Sequence, residues 1–168
     1  MNFRKLIDNK ELCEVYIENS NGFDVGIIFH ENEDSIFVKS YDKQGKFSGY
    51  SMYPRDYVSF VAYKTKYIER LNITDLELEQ ELTFNQWNSR EDVFEFLKSN
   101  TTFVTVDNYD NEEVACGIIV DYDEDSVTLQ AYDEKHKEED GFVVVNTDNF
   151  YVLNFGGNTK ERVNDNIA

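Results

Sequence analysis

Residues 117–133, GIIVDYDEDSVTLQAYD, set Asp121, Asp123, Glu124 and Asp125 between two apolar runs. Carboxylates at i, i+2 and i+4 resemble the opening of a calcium loop, whose oxygen ligands must converge on a hard cation. Such a loop needs Gly at its sixth position and Glu at its twelfth, where this chain has Ser126 and Tyr132. Asp and Asn also favour tight turns, because their side chains accept hydrogen bonds from nearby backbone N–H groups. The spacing therefore predicts a hairpin turn, with surplus negative charge suited to a basic partner. Metal binding is not expected.

Two further acidic groups lie in the same half of the chain, at residues 107–113 (DNYDNEE) and at Glu138, Glu139 and Asp140. The first half instead carries Tyr50, Tyr53, Tyr57, Tyr63 and Tyr67 near Arg55, Lys64 and Lys66. Tyr and Arg are favoured at interface hot spots, and aromatic faces also stack on bases. Tyr53, Arg55 and Tyr57 are therefore candidate partner-binding residues beside Asp121, Asp123, Glu124 and Asp125.

Catalysis finds little support. His30 and His136 are the only histidines, and no nucleophile elbow, phosphate-binding loop or HExxH motif is present. Carboxylates on solvated turns keep ordinary acidity and make poor general acids. Cys13 and Cys116 lack CxxC spacing and a nearby His, so they read as two reduced, packed thiols rather than zinc ligands. The expectation is a non-catalytic protein without a cofactor.

The formal net charge is −18. Residues 1–80 hold 10 Lys+Arg and 14 Asp+Glu, a balance of −4; residues 81–168 hold 6 and 20, a balance of −14. Such a field repels phosphate backbones and speeds association with cationic partners. No apolar run approaches the ~20 residues that cross a bilayer, and MNFRKLIDNKEL lacks the apolar segment of a signal peptide. A cytoplasmic protein without a membrane partner is expected.

The elements that must position these residues come in two copies. Residues 26–42, GIIFHENEDSIFVKSYD, match residues 117–133 at an offset of 91, with 8 of 17 positions identical. Upstream, Phe3, Leu6, Asn9 and Val15 meet Phe94, Leu97, Asn100 and Val106; downstream, with one added residue, Gly49, Asp56, Glu69 and Arg70 meet Gly141, Asp148, Glu161 and Arg162. Self-similarity on this scale marks a tandem duplication.

Each copy opens with a short helix. In the second, Asn88 or Ser89 can cap, Glu91 and Asp92 suit the N-terminal dipole, and Val93, Phe94 and Leu97 form an apolar stripe. Five strands follow, near 12–18, 23–30, 35–41, 48–54 and 57–63, and again near 103–109, 114–121, 126–132, 141–146 and 149–155. Alternation in the third strand, Val127, Leu129 and Ala131 against Thr128, Gln130 and Tyr132, predicts one buried and one wet face, and Ile36 and Val38 against Lys39 and Tyr41 repeat it. Gly26 and Gly117, mid-strand, suit sharp curvature or close backbone approach. The fold expected is mainly β: two tandem five-stranded antiparallel barrels over 1–71 and 88–168, each preceded by a helix. In the connector, 72–87, a Thr74–Glu77 capping box favours a helix over the strand suggested by the alternation in residues 76–79, while Phe84 and Trp87 would pin the segment to a barrel.

This layout resembles the Sm-like family: a helix, a bent barrel, a glycine in strand two, an acidic turn and an aliphatic third strand ending in Asp. Here the pattern runs Gly26 to Asp42 and Gly117 to Asp133, with Gly49 or Gly141 opening the fourth strand. The resemblance implies single-stranded RNA binding and assembly into six- or seven-membered rings. The family's base-contacting Asn falls at Ile36 and Val127, and its Arg-Gly pair at Arg55-Asp56 and Thr147-Asp148. An aliphatic chain cannot hydrogen-bond a base edge, so the first expectation is a monomer or small homo-oligomer that docks a basic protein on its acidic second barrel, as an inhibitor, immunity factor or adaptor, with RNA binding as the alternative.

Overall fold

The computed structural model describes residues 2–80, 82–108, 112–149 and 152–159. The strands of the first copy are β1 (Leu12–Ile17), β2 (Phe23–Glu31), β3 (Ser35–Tyr41), β4 (Phe47–Pro54) and β5 (Val58–Tyr63). Those of the second are β6 (Phe103–Asp107), β7 (Glu113–Tyr122), β8 (Ser126–Asp133), β9 (Glu138–Asn146) and β10 (Val152–Phe155). Helix α1 (Arg4–Asp8) precedes β1, and α3 (Arg90–Ser99) precedes β6. Ser89 caps α3 in a full capping box, its side chain accepting from the Asp92 N–H while the Asp92 carboxylate accepts from the Ser89 N–H. Helix α2 (Lys66–Leu71), capped by the Thr65 side chain, was not foreseen. Residues 109–111 of the second acidic loop, and the repeat match at Glu161 and Arg162, lie outside the described residues.

Every described strand pair is antiparallel, and the strands form one open ten-stranded sheet in the order β5-β1-β2-β3-β4-β10-β6-β7-β8-β9. The two expected barrels are thus two five-stranded halves of a continuous sheet. Each half has the same internal order, and β4 of the first joins β10 of the second, with Leu153 opposite Met52, Asn154 opposite Ser51 and Phe155 opposite Tyr50. The halves also share their irregularities: register shifts interrupt β2 between Ile28 and His30 and β7 between Ile119 and Asp121. Gly26 and Gly117 mark backbone contact. A Cβ at Gly26 would stand 2.4 Å from the Lys39 carbonyl oxygen, and one at Gly117 2.0 Å from that of Gln130.

The junction makes the face that is internal to the second half continue as the outer face of the first. One core, on the inside of the first half, gathers Phe3, Cys13, Val15, Ile28, Ile36, Val38, Tyr53 and Val58, with Val152 from the second half. The other joins Phe29, Phe37, Tyr50 and Met52 of the first half to Trp87, to Val93, Phe94 and Leu97 of α3, and to the inside of the second half.

Two expectations fail here for a shared reason. The connector forms no α-helix among its described residues, only a 3-10 turn at Phe84–Gln86. It runs instead as a strap over β3 and β4, where its carbonyls at Glu77 and Asp75 accept from Lys39 Nζ and the Tyr41 hydroxyl, and the Glu79 N–H donates to the Tyr50 hydroxyl at 3.3 Å. Those tertiary hydrogen bonds and the packing of Trp87 replace what a helix would satisfy internally. In consequence β3 has no wet face in the first half: Phe37, Lys39 and Tyr41 are as buried as Ile36 and Val38.

Candidate functional site

The β7–β8 turn is built by Asp123. Its Oδ1 accepts from the N–H groups of Asp125 (2.8 Å) and Ser126 (2.7 Å) and from the Ser126 hydroxyl (3.1 Å). Those bonds to the charged form hold its carboxyl below the usual carboxylate range. Asn32 does the same in the first half, accepting from Asp34 and Ser35 N–H at 2.9 Å each.

Each turn then docks on the link between the last two strands of its own half. The Arg55 N–H donates to the Asp34 carbonyl, and the Thr147 N–H to the Asp125 carbonyl, both at 2.8 Å. The Thr147 hydroxyl adds a bond to the Glu124 carbonyl at 3.4 Å. Across the halves, the Tyr57 hydroxyl reaches the Asp148 carbonyl at 3.5 Å. Between these links lies an open cleft of about 320 Å³, lined by Glu33, Asp34, Pro54, Asp56, Tyr57, Arg90, Thr147 and Asp148. Glu33, Asp34, Asp56 and Asp148 are all exposed, and the exposed Glu124 and Asp125 adjoin through Thr147. The positive charge of Arg90 is tied to this frame by a bond from its Nη1 to the Thr147 carbonyl at 3.3 Å. Arg55 turns to its own half, with Nη1 at 3.2 Å from Glu31 and 3.1 Å from the Asn32 carbonyl, and its guanidinium over the Phe3 ring.

The candidate residues therefore separate. Tyr57 lines the cleft, the exposed Glu124 and Asp125 adjoin it through their carbonyl bonds to Thr147, and Asp121 is exposed near the end of β7. Tyr53 is 1% exposed and donates its hydroxyl to Asp24; burial first, and the Asp24 carboxylate second, push its pKa well above the ordinary tyrosine value. It is not a surface residue. The tyrosines singled out in the first half do not form one patch: Tyr50 is buried like Tyr53, whereas Tyr63 and Tyr67 are exposed elsewhere, on β5 and α2. Glu33, Asp34, Asp56 and Asp148 were missed as site residues, although Glu33 and Asp34 are the repeat equivalents of Glu124 and Asp125.

Two other features are chemically suggestive. A polar cleft of about 360 Å³ follows the β4–β10 junction, lined by Asp24, Ser40, Ser51, Tyr53, Asp107 and Asn154 among others. Its groups largely bond one another, Ser51 to Asn154 at 2.7 Å and Asn154 to Asp107 at 3.2 Å. Glu113, Cys116 and Glu134 bring three donor atoms within 4.8 Å. One soft thiol with two hard carboxylates fits neither the usual zinc nor the usual calcium set, and the thiol donates to the Tyr132 carbonyl at 3.3 Å.

Comparison with protein-family models, with curated proteins and with solved structures found no match. No helix among the described residues is long and apolar enough to cross a membrane.

Proposed function

We propose that this chain is a non-catalytic binding protein that docks a lysine- or arginine-rich protein segment on its acidic cleft. The observation that carries the reading is the convergence of Glu33, Asp34, Asp56 and Asp148, drawn from both halves, on one cleft adjoined through Thr147 by Glu124 and Asp125. Carboxylates gathered on a concave surface raise the local concentration of cations and speed their docking. The repeated strand order supports an Sm-like ancestry for each half. The same cleft speaks against an inherited RNA site, because phosphates would meet carboxylates from both halves.

The test is calorimetric titration of the full chain with a defined Arg/Lys-rich peptide and, separately, with single-stranded oligouridine. Peptide binding should weaken as salt rises, as expected for screened charges. The pair Asp56→Asn and Asp148→Asn should abolish it, while Glu138→Gln with Glu139→Gln, which removes equal charge elsewhere, should leave it intact. Equal loss in both pairs would reduce the effect to net charge. Salt-insensitive peptide binding, or tighter binding of oligouridine, would overturn the proposal.

A further inference from the structure

The polar cleft at the β4–β10 junction does not end where its groups bond one another. A second cleft of about 240 Å³ adjoins it, and Ser40, Ser48, Ser51, Asp107 and Asn154 line both, so the two form one trough along the inner face of the first half. Its floor crosses four strands: Ser51 of β4 lies opposite Asn154 of β10, Asn154 opposite Thr105 of β6, and Asp107 of β6 opposite Glu113 of β7. The trough shares no lining residue with the cleft between Asp56 and Asp148.

The fold does not require polar residues at these places, as the other copy shows. The repeat equivalents of Asp24, Ser40, Ser51 and Tyr53 are Ala115, Ala131, Val143 and Val145, and that of Asn154 is Ala62. Ala115 and Val145 are core residues, so small apolar side chains serve the same backbone. Part of the polar set is engaged internally, the Asn154 amide donating to the Thr105 hydroxyl and the Asp107 carboxylate at 3.2 Å each. Another part is open. Thr159 is 8% exposed and lines the trough, yet its hydroxyl makes no hydrogen bond to the protein; the half-buried Ser48 hydroxyl, also in the lining, makes none either. A hydroxyl withdrawn from water without a partner costs free energy that a ligand's donors would recover.

Charge narrows the ligand. Asp24 lines the first cleft, Asp107 both and Glu113 the second, and no lysine or arginine is among the lining residues. Anions are therefore repelled. These carboxylates are strung along the trough and do not converge as a hard cation needs; among the described residues the one group of three such donors within 4.8 Å is Glu113, Cys116 and Glu134. A neutral polyol would gain nothing from their charge.

We propose that the trough binds a linear aliphatic polyamine, whose ammonium groups are separated by methylene runs. Its ammoniums face Asp24, Asp107 and Glu113 in turn, as charge-assisted hydrogen bonds. Their remaining N–H groups donate to the Ser48 and Thr159 hydroxyls. The methylene runs lie against Ile17, Phe23 and Val152, which line the first cleft.

The test is calorimetric titration of the full chain with spermidine at physiological ionic strength, each variant being checked for its fold by circular dichroism. Wild-type protein should bind it 1:1. Asp24→Asn with Asp107→Asn should weaken binding about tenfold or more, as expected for lost charge-assisted hydrogen bonds. Asp56→Asn with Asp148→Asn, which removes equal charge from the other cleft, should leave it unchanged. Thr159→Val should weaken it about threefold without lowering Tm, because the lost hydroxyl has no partner in the protein. The proposal is overturned by absence of spermidine binding, by equal loss in the two aspartate pairs, or by wild-type affinity in Thr159→Val. Magnesium ion that occupies the same site as tightly overturns it too, in favour of a hard cation. Should the Asp24 and Asp107 variant fail to fold, NMR of the wild type is the second route. Spermidine should shift the Asn154 side-chain amide and leave the Asp56 and Asp148 backbone amides in place; the reverse pattern would move the site to the other cleft and overturn the proposal.

Discussion

The third strand of the first half carries Phe37, Lys39 and Tyr41 on its outer side, all buried, whereas the same positions of the second half carry Thr128, Gln130 and Tyr132, all half-exposed. The backbones are repeats of one another, down to their register shifts, so the difference arises from what lies above the sheet. Over the first half run the connector, Trp87 and β10. Trp87 packs against Phe37, Phe29, Phe96 and Phe155, with ring centroids 5.2 to 6.4 Å apart. Lys39 ends under the strap, 3.5 Å from Asp75 and over the Phe47 ring. A buried lysine is tolerated because its ammonium finds both a charge partner and an acceptor there. A duplicated unit therefore evolves a second apolar face where a neighbour covers it and keeps a polar face where none does.

The sharpest way to break this contrast is Trp87→Ala. Removing a fully buried indole that touches both halves should cost about 3–5 kcal/mol in urea unfolding, whereas Gln130→Ala, at the equivalent of Lys39, should change stability by less than about 0.5 kcal/mol. Comparable losses at the two sites would mean that the strap is not what distinguishes the halves. Next in size is Gly117→Ala. The added Cβ would meet the Gln130 carbonyl oxygen at 2.0 Å, with φ at +154°, so the β7–β8 pairing must shift. A loss of about 1–3 kcal/mol is expected, as for other forced overpacking. Gly26→Ala, with 2.4 Å available, should behave alike, since this close approach is shared. A gain in stability at either glycine would refute the shared constraint.

The smallest effect separates the turns after the third strands. In the first half Asp42 accepts from the Gln44 and Lys46 N–H groups, both at 2.9 Å. In the second, Asp133 accepts from backbone N–H groups and also pairs with the His136 ring at 2.6 Å. The Asp133 hydrogen bond raises the His136 pKa above its ordinary 6.5, and the His136 contact lowers that of Asp133 below 3.8. The imidazolium's stabilising share is complete below 6.5 and fades as pH rises through the raised value. The carboxylate's share is complete above 3.8 and fades as pH falls through the lowered one. The pair thus acts fully between 3.8 and 6.5. An NMR titration should place the His136 midpoint above 6.5, and Asp133→Asn should return it toward that value. A midpoint at or below 6.5 in the wild type would exclude the pair in solution. His136 is exposed and Asp133 half-exposed, so the accompanying change in Tm should be slight.

Much of this was readable from residue order. Strand positions followed from alternation, and Ser35–Tyr41 has the same bounds in both readings. The aspartates of residues 121–125 announced their turn because an Asx side chain bonds to backbone two and three residues on. The close approach at Gly26 and Gly117 was legible because a mid-strand glycine has few other uses. The acidic cleft was half legible. Glu124 and Asp125 beside it stood out by charge while Glu33 and Asp34 did not, and the meeting of Asp56 with Asp148 depends on β4 finding β10, about 100 residues later in the chain, as in the Met52–Leu153 pair.

By itself, then, the order of residues determined the strands, helices α1 and α3, the duplication and the turns, whose signals are residue patterns local in the chain. Tertiary structure decided the rest: which halves' edges join, why Phe37 and Lys39 are buried, and why Tyr53 faces the core while Tyr63 faces outward. Periodicity reports which side chains share a face and not what covers that face. The free energy of burial depends on the cover.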